Sequence, residues 1–192
     1  PKLKQLNAAM ADLRRQRDAA ADADLIELRL DTVKEAVSYL GFNTIKTLTL
    51  SFSIVEQFQG QSLPEGFSLE AVQQHSLRVG SLARQLVDAE RVAEKALLVG
   101  ILHDVGKLIL ATRLPELYSR IERVARQSGR PAHLIERRSV GASHAEIGAY
   151  LLGLWGIPHP IVEGVLFHHE PLKVLDQGLG PAGIVHVADA LI

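Results

Sequence analysis

Residues Ala96 to Ile109 read Ala-Leu-Leu-Val-Gly-Ile-Leu-His-Asp-Val-Gly-Lys-Leu-Ile and place an imidazole beside a carboxylate at the end of an apolar run. Such a run is typical of a helix whose whole circumference is buried in a bundle. We therefore expect His103 and Asp104 to lie inside the protein. A buried carboxylate needs a partner, and a histidine with a metal ion is one common solution. A helix continuing through Gly106 would place Lys107 on the same face, which suits an anionic ligand beside a metal.

Taken alone, these two residues favour a simpler interpretation. His103 would be a hydrogen-bonded core histidine and Asp104 would cap the following turn, since short motifs often match by chance. Lys107 would then extend from the helix end and interact with its terminal carbonyls. The rest of the chain decides between the two interpretations.

Composition narrows the class of protein. The chain has 192 residues, 47% of them hydrophobic, and a formal net charge of -1, so no global field attracts nucleic acid or an anionic membrane. It contains no cysteine, so a metal would be held by nitrogen and oxygen ligands. The first residues lack the apolar core of a signal peptide, and no apolar run is long enough to span a membrane. We expect a cytoplasmic protein.

The amino-terminal part of the chain carries a separate amphipathic pattern. Residues 1–20 place Leu3, Leu6, Met10 and Leu13 at helical spacing. This helix either packs on the same chain or serves as a linker or dimer helix. Residues 19–30 are less regular, so we predict a linker or terminal helix over residues 1–30 and a helical domain over residues 31–192.

Helical spacing continues through the rest of the chain. It predicts helices over residues 33–40, 45–55 and 114–129, and another from about Ser68 that carries Leu77 and Val79 among its apolar residues and places His75 in the core-facing half. Ser143 and Glu146 form a capping-box pattern. Further helices are expected over residues 161–166, ending at His168 and His169, and over 184–192, with a loop over 172–183. With no confident strand and no repeat, the predicted fold is an all-α, multi-helix bundle.

Candidate metal ligands occur on five of these helices or helix ends. His133 and His159 fall in predicted loop or proline contexts, and His186 is set aside. Imidazole and carboxylate ligands suit iron, manganese, cobalt, nickel or zinc, and their number would serve one ion or, better, two adjacent ions. Two ions and a lysine suit phosphoryl chemistry, with Asp104 and Lys107 as the candidate catalytic residues. The candidate ligands are His75, His103, Asp104, His144, His168, His169 and Asp189.

The order of these residues resembles the HD superfamily of metal-dependent phosphohydrolases. The flanking sequences are similar to the HDOD domain, the HD-related output domain of bacterial signalling proteins, over roughly residues 33–192. The segments that carry the resemblance include His75-Ser-Leu-Arg-Val, Gly100-Ile-Leu-His-Asp-Val-Gly-Lys, Gly141-Ala-Ser-His-Ala-Glu-Ile-Gly and His168-His-Glu-Pro.

The resemblance implies an all-helical regulatory module, often found behind the receiver domain of a response regulator. The chain departs from the family pattern in three ways. It keeps every ligand position that matches the HD-GYP phosphodiesterases, although many HDOD domains have lost ligands. It lacks their Gly-Tyr-Pro signature, which argues against cyclic di-GMP hydrolysis. Residues 19–30 are also too short for the helices that usually precede the segment matching residues 33–40.

Two functions follow from the resemblance and the ligand set. In the first, the chain is a regulatory output domain, linked to two-component or cyclic-dinucleotide signalling, that contacts an upstream receiver domain, a partner protein or a nucleotide or phosphate ligand. In the second, it is a working phosphohydrolase, in which Lys107 steadies a phosphate oxygen beside the metal site. A dimer through residues 1–20 is compatible with either function.

Overall fold

The computed structural model describes residues 45, 49, 63–64, 66–174 and 179–192, and these residues form helices and no strand. The all-α prediction is therefore confirmed for this part of the chain. The predicted helices over residues 1–20 and 33–40 and the boundary near residue 30 lie outside the described residues. Ile45 and Thr49 are helical, as expected. The helices are α1 (Leu69–Gln85), α2 (Glu90–Leu102), α3 (Val105–Arg113), α4 (Pro115–Ser128), α5 (Ala132–Val140), α6 (His144–Leu154), α7 (His159–Phe167) and α8 (Pro181–Leu191), with a 3-10 turn at Pro171–Lys173 between α7 and α8.

Several helix ends form as the sequence predicts. The Ser68 hydroxyl accepts a hydrogen bond from the Ala71 amide and caps α1. Ser143 and Glu146 form the complete capping box at the start of α6, which confirms that prediction. Gly129 and Gly141 end α4 and α5 with positive φ angles of 66° and 91°, a conformation that favours glycine. These local signals fix where the site-bearing helices begin and end.

Helix α2 lies at the centre of the described fold and packs against α1, α7 and α8. Its residues Leu98, Val99 and Leu102 are buried in the main core, together with residues of α1, α3, α6, α7 and α8. Because α2 is enclosed on several sides, the turn that follows it lies deep in the protein. The apolar run therefore forms a buried helix, as its composition predicts.

Two helix pairs pack so closely that only glycine fits between them. A Cβ atom on Gly100 of α2 would lie 2.5 Å from the Cα of Gly80 on α1. A Cβ atom on Gly106 of α3 would lie 2.7 Å from the carbonyl carbon of His144 and closer still to its oxygen. Both approaches join elements that carry candidate ligands, so the packing of these glycines sets the dimensions of the site.

The structure corrects three predictions about the helices and places one apolar residue outside the core. The predicted continuous helix through Gly106 is wrong, because α2 ends at Leu102 and α3 begins at Val105. Leu77 does not face the core and is 46% exposed, since it lies two positions from buried Val79 and cannot share its face. Residues 132–140 form α5, so His133 is helical and not in a loop. Helix α8 begins at Pro181, inside the predicted loop.

Candidate metal centre

The turn between α2 and α3 presents two neighbouring side chains to the interior. His103 follows the last residue of α2, and Asp104 occupies the N-cap position of α3. The Asp104 side chain makes no capping hydrogen bond to α3, so its carboxylate is not used as the simpler interpretation requires. His103 is 1% exposed and Asp104 is 2% exposed. The turn therefore places a buried imidazole and a buried carboxylate next to each other in the interior.

A first group of donors, named here the first donor group, consists of His75, His103 and Asp189. The ligand atoms of these three residues lie within 4.8 Å of one another. The Nε2 atom of His75 is 2.9 Å from Oδ1 of Asp189, and Nε2 of His103 is 3.8 Å from the same oxygen. Helices α1 and α8 and the turn after α2 thus supply one residue each. Spacings of this size allow the three side chains to reach one ion after small adjustments.

A second group of donors, the second donor group, consists of His144, His168 and His169. Their ligand atoms also lie within 4.8 Å of one another. His144 begins α6, whereas His168 and His169 follow the last residue of α7. The Nε2 atoms of His144 and His169 are 2.9 Å apart. The start of one helix and the end of another therefore bring three imidazoles together.

Asp104 lies between the two groups and faces both. Its Oδ2 atom is 3.4 Å from Nε2 of His103 and 4.0 Å from Nε2 of His75, on the side of the first donor group. Its Oδ1 atom is 3.4 Å from Nε2 of His144, on the side of the second donor group. The structure thus brings all seven predicted ligand positions into one cluster, in which Asp104 is the shared member.

Hydrogen bonds on the outer edges of three imidazoles direct their other nitrogen into the cluster. Nδ1 of His103 donates to the carbonyl of Gly100, and Nδ1 of His168 donates to the carbonyl of Val165, each at 2.7 Å. Nδ1 of His144 lies 2.7 Å from Oε2 of Glu136. A proton fixed on Nδ1 leaves the lone pair on Nε2, the arrangement typical of metal-ligating histidines.

Three polar atoms of the cluster are buried without a hydrogen-bond partner: Nε2 of His103, Nε2 of His168 and Oδ1 of Asp104. Such atoms are rare in folded proteins, because each one loses its hydration without replacement. All three are good ligand atoms for a divalent metal of the iron-to-zinc series. The donor set therefore fits a metal ion, because these buried polar atoms have no hydrogen-bond partner.

The charges in the cluster favour an ionised Asp104. Burial would raise the pKa of Asp104, but His103 and Lys107 outweigh it and hold that pKa well below its ordinary value. Burial lowers the pKa of His103 and of Lys107, whereas the neighbouring Asp104 raises both. In each residue the pKa is raised overall. Burial opposes the charge on Asp189 too, but the hydrogen bond from His75 lowers its pKa. Two carboxylates are thus ready to bind cations.

His168 and His169 of the second donor group are held neutral. Burial, followed by the neighbouring His103 and His144, places the pKa of His168 well below its ordinary value. Burial and then His168 lower the pKa of His169. Neutral imidazole is the form that binds a metal, because protonation would occupy the lone pair. The electrostatics of His168 and His169 therefore favour metal binding over protonation.

Lys107 reaches the same cluster although the helix is interrupted before it. Its Nζ atom donates to Oδ2 of Asp104 at 2.6 Å, and its side chain remains 26% exposed. The turn still permits this contact, because the Lys107 amide bonds to the Asp104 carbonyl at 2.9 Å in the first turn of α3. An ammonium group thus lies beside the shared carboxylate, at the partly exposed edge of the site.

Sequence reasoning missed the contribution of α5 to the site. Glu136 is fully buried and contacts His144, whereas His133 stacks on His169 with ring centroids 4.0 Å apart. Pro131 before the helix and Gly141 after it are the signals that mark α5 in the sequence. His186, which was set aside, donates from Nδ1 to the carbonyl of His168 at 2.7 Å and steadies that turn.

Comparison with known proteins places this geometry in a family. The sequence pattern of the HDOD domain matches residues 26–171. The chain belongs to the HDOD domain family. Sequence resemblance and structure therefore agree on the family.

Three proteins that resemble this HDOD domain share about a fifth to about a quarter of its residues in the aligned regions. A structure from Shewanella amazonensis SB2B, described as a phosphohydrolase candidate, is 26% identical, with a TM-score of 0.69 over 97% of this chain and 64% of that one. An HDOD domain protein of unknown function from Geobacter sulfurreducens is 21% identical and shares the fold, with a TM-score of 0.68 over 100% of this chain and 71% of that one. An uncharacterized Treponema pallidum (strain Nichols) protein is 28% identical over 89 residues, which are 46% of this chain and 17% of that protein. The match thus spans about a sixth of that relative.

Among the described residues, no helix is long and apolar enough to cross a membrane.

Proposed function

We propose that this HDOD domain is a regulatory output module of bacterial signal transduction whose His and Asp cluster binds divalent metal. The observation that carries the proposal is the convergence of buried donors without hydrogen-bond partners from separate elements of the fold. A structure from Marinobacter aquaeolei VT8 that shares the fold, with a TM-score of 0.61 and 24% identity over 90% of this chain and 37% of that one, is described as a signal transduction protein candidate.

The arrangement of the ligands suits regulation. The donors come from α1, the turn after α2, the start of α6, the end of α7 and α8. A ligand that binds all of them holds these elements together, so occupancy of the site stabilises one packing arrangement of the domain. A partner that recognises that arrangement would bind with an affinity that depends on the metal.

The residues for each ion can be named. His75, His103 and Asp189 would hold one ion, His144, His168 and His169 would hold the other, and Asp104 would face both. The metal is of the iron, manganese, cobalt, nickel or zinc type, because the ligands are imidazoles and carboxylates. When bound, it would act as a Lewis acid and lower the pKa of a coordinated water.

Phosphohydrolase activity is the second candidate, and the position of Lys107 favours it. Its ammonium lies 2.6 Å from Asp104 and is partly exposed, so it can contact an incoming phosphate oxygen. The side chains of His75 and Asp189 are also partly exposed, at 32% and 28%. A substrate would therefore reach the site from this side. In this role Lys107 would stabilise negative charge on the phosphoryl oxygens.

One set of assays separates the two functions. The full chain is loaded with iron, manganese or zinc in turn and incubated with a generic phosphodiester and with cyclic dinucleotides. The regulatory proposal expects no turnover, together with slower amide hydrogen exchange in α1, α6 and α8 when metal is bound. Lack of any metal-dependent change in exchange would contradict the regulatory proposal.

The Lys107→Ala variant tests the enzymatic candidate. If the domain is an enzyme, this substitution should lower turnover about 10²-fold, the usual scale for one lost electrostatic contact, while metal content is unchanged. Lys95→Ala is the matched control, since Lys95 is exposed on α2. Turnover that depends on metal and falls in Lys107→Ala but not in Lys95→Ala would establish the enzyme and overturn the purely regulatory role.

A further inference from the structure

Glu136 is a fully buried carboxylate at the back of the second donor group. It lies on α5, and its Oε2 atom accepts two hydrogen bonds from the same residue. The backbone amide of His144 and the Nδ1 atom of its ring both lie 2.7 Å from this oxygen. The second oxygen, Oε1, is buried and has no hydrogen-bond partner. Both hydrogen bonds that Oε2 of Glu136 accepts thus come from His144.

This contact distinguishes His144 from the other oriented imidazoles of the described centre. His103 and His168 donate from Nδ1 to neutral backbone carbonyls, whereas His144 faces a carboxylate. A carboxylate behind a ligating imidazole fixes its tautomer and makes its other nitrogen a stronger donor to a metal. The second donor group therefore has a strengthened ligand that the first donor group lacks.

Positive charge in the site in front of Glu136 would compensate for the burial of its side chain. A carboxylate held away from water is costly unless positive charge compensates it. Two N–H donors satisfy only one of its oxygens. Positive charge at Nε2 of His144, on the far side of the ring, would offset the carboxylate through the imidazole. The buried carboxylate and the second donor group thus form one electrostatic unit.

Two partly exposed ion pairs connect α5 with the elements of the site. Arg137, the next residue, contacts Glu146 of α6 at 3.2 Å and Glu170 after α7 at 3.4 Å. These contacts tie α5 to the elements that carry His144 and His169. Glu136 therefore lies on a helix that is linked to the elements carrying His144 and His169.

We propose that Glu136 is a positioning residue for the second donor group: it holds the His144 ring with Nε2 toward the cluster and selectively tightens metal binding there. The inference rests on the proposed function insofar as the cluster binds metal. Its effect is confined to the second ion, because Glu136 contacts no member of the first donor group among the described residues.

The first test is a titration of the full chain with manganese or zinc, comparing Glu136→Gln with the unmodified protein. Glutamine keeps the shape of the side chain but removes its charge. We expect the ion at the second donor group to bind about 10- to 100-fold more weakly, as for other residues behind a metal ligand, and the ion at the first donor group to bind unchanged. Unchanged binding of both equivalents would overturn the proposal.

Ser143→Ala is the matched control. Ser143 also stabilises the start of α6, because its hydroxyl accepts a hydrogen bond from the Glu146 amide, but it does not touch the His144 ring. Loss of the second ion in Glu136→Gln alone supports orientation of the imidazole. Equal loss in both variants would overturn the proposal, because it would mean that only the start of α6 had been weakened.

The second test needs no metal and uses nuclear magnetic resonance of the His144 ring. A proton on Nδ1 that is bonded to a carboxylate resonates far downfield and exchanges slowly with solvent. We expect this signal in the unmodified protein and an upfield shift or loss in Glu136→Gln. His144 without a proton on Nδ1 would overturn the proposal even if the variant does not fold.

The two tests keep the inference separate from the proposed function. A chain that takes up no second ion would contradict the two-ion site, while the proton signal would still support or overturn the role of Glu136.

Discussion

Gly106→Ala should disturb the site through packing alone. Gly106 lies on α3 where it crosses α6, and the added Cβ would be 2.7 Å from the carbonyl carbon of His144 and 2.9 Å from the amide of Gly148. The atoms in its way belong to the backbone, so no side-chain rotation relieves the contact. An ordinary contact begins at 3.4 Å, so α3 and α6 must separate by about 1 Å.

The energetic cost follows from two opposing effects. Overpacking a close helix contact costs about 1–3 kcal/mol, and backbone atoms that cannot move aside favour the upper end. The gain in helix propensity on replacing glycine by alanine returns up to about 1 kcal/mol. We therefore expect Gly106→Ala to lose about 2 kcal/mol of unfolding free energy.

The same displacement affects the metal centre. The distance of 3.4 Å between Oδ1 of Asp104 and Nε2 of His144 spans the α3–α6 contact. Separating the helices by about 1 Å lengthens it by a similar amount, so metal binding by the second donor group should weaken together with stability. The two effects should appear in the same variant.

The assay is thermal or urea unfolding of the full chain, with Gly153→Ala as the matched control. Gly153 is also helical, on α6, but nothing lies within 4 Å of its added Cβ. That substitution should stabilise the protein by up to about 1 kcal/mol through helix propensity. If Gly106→Ala were as stable as Gly153→Ala, the close approach of α3 to α6 would be refuted.

Three further predictions test separate parts of the site. Asp189→Asn should prevent binding of the ion at the first donor group and leave the ion at the second donor group bound, so the metal content should fall from two ions to one. Retention of both ions would show that Asp189 is not a metal ligand. Ser143→Ala removes the side-chain cap of α6 and should lower the free energy of unfolding by about 1 kcal/mol, with exposed Ser139→Ala as the control that should change little. Arg137→Ala should weaken metal binding by the second donor group more than by the first, because it loosens α5; a uniform effect on both groups would argue against this bracing.

The fold could be predicted where local chemistry decides it. The capping box of Ser143 and Glu146 and the glycine at 129 act within one turn of the chain, and the structure has both helix ends there. Helix α5 was missed because its sequence is largely polar, and of Leu134 and Ile135 only the second is buried. Its stability comes from tertiary contacts, which spacing does not reveal.

The site, like the fold, could be predicted only in part from the sequence. The types and order of the ligands were visible, because imidazole and carboxylate side chains recur near the predicted helix ends. The break at His103 and Asp104 could not be predicted, since neither residue breaks a helix and apolar residues at helical spacing resume directly after them. Close packing of Gly106 against α6 accompanies the break. The pairing of Glu136 with His144 links residues on different helices and could only be found in three dimensions.

The most direct test of the central claim, that Asp104 joins two donor groups into one two-ion centre, is electron paramagnetic resonance during titration with Mn²⁺. Two ions held by one centre lie about 3.5–4 Å apart and couple magnetically. We predict that the single-ion signal produced by the first equivalent falls as the second equivalent binds. A signal that instead grows in proportion through both equivalents, or a chain that binds no Mn²⁺, would contradict the account.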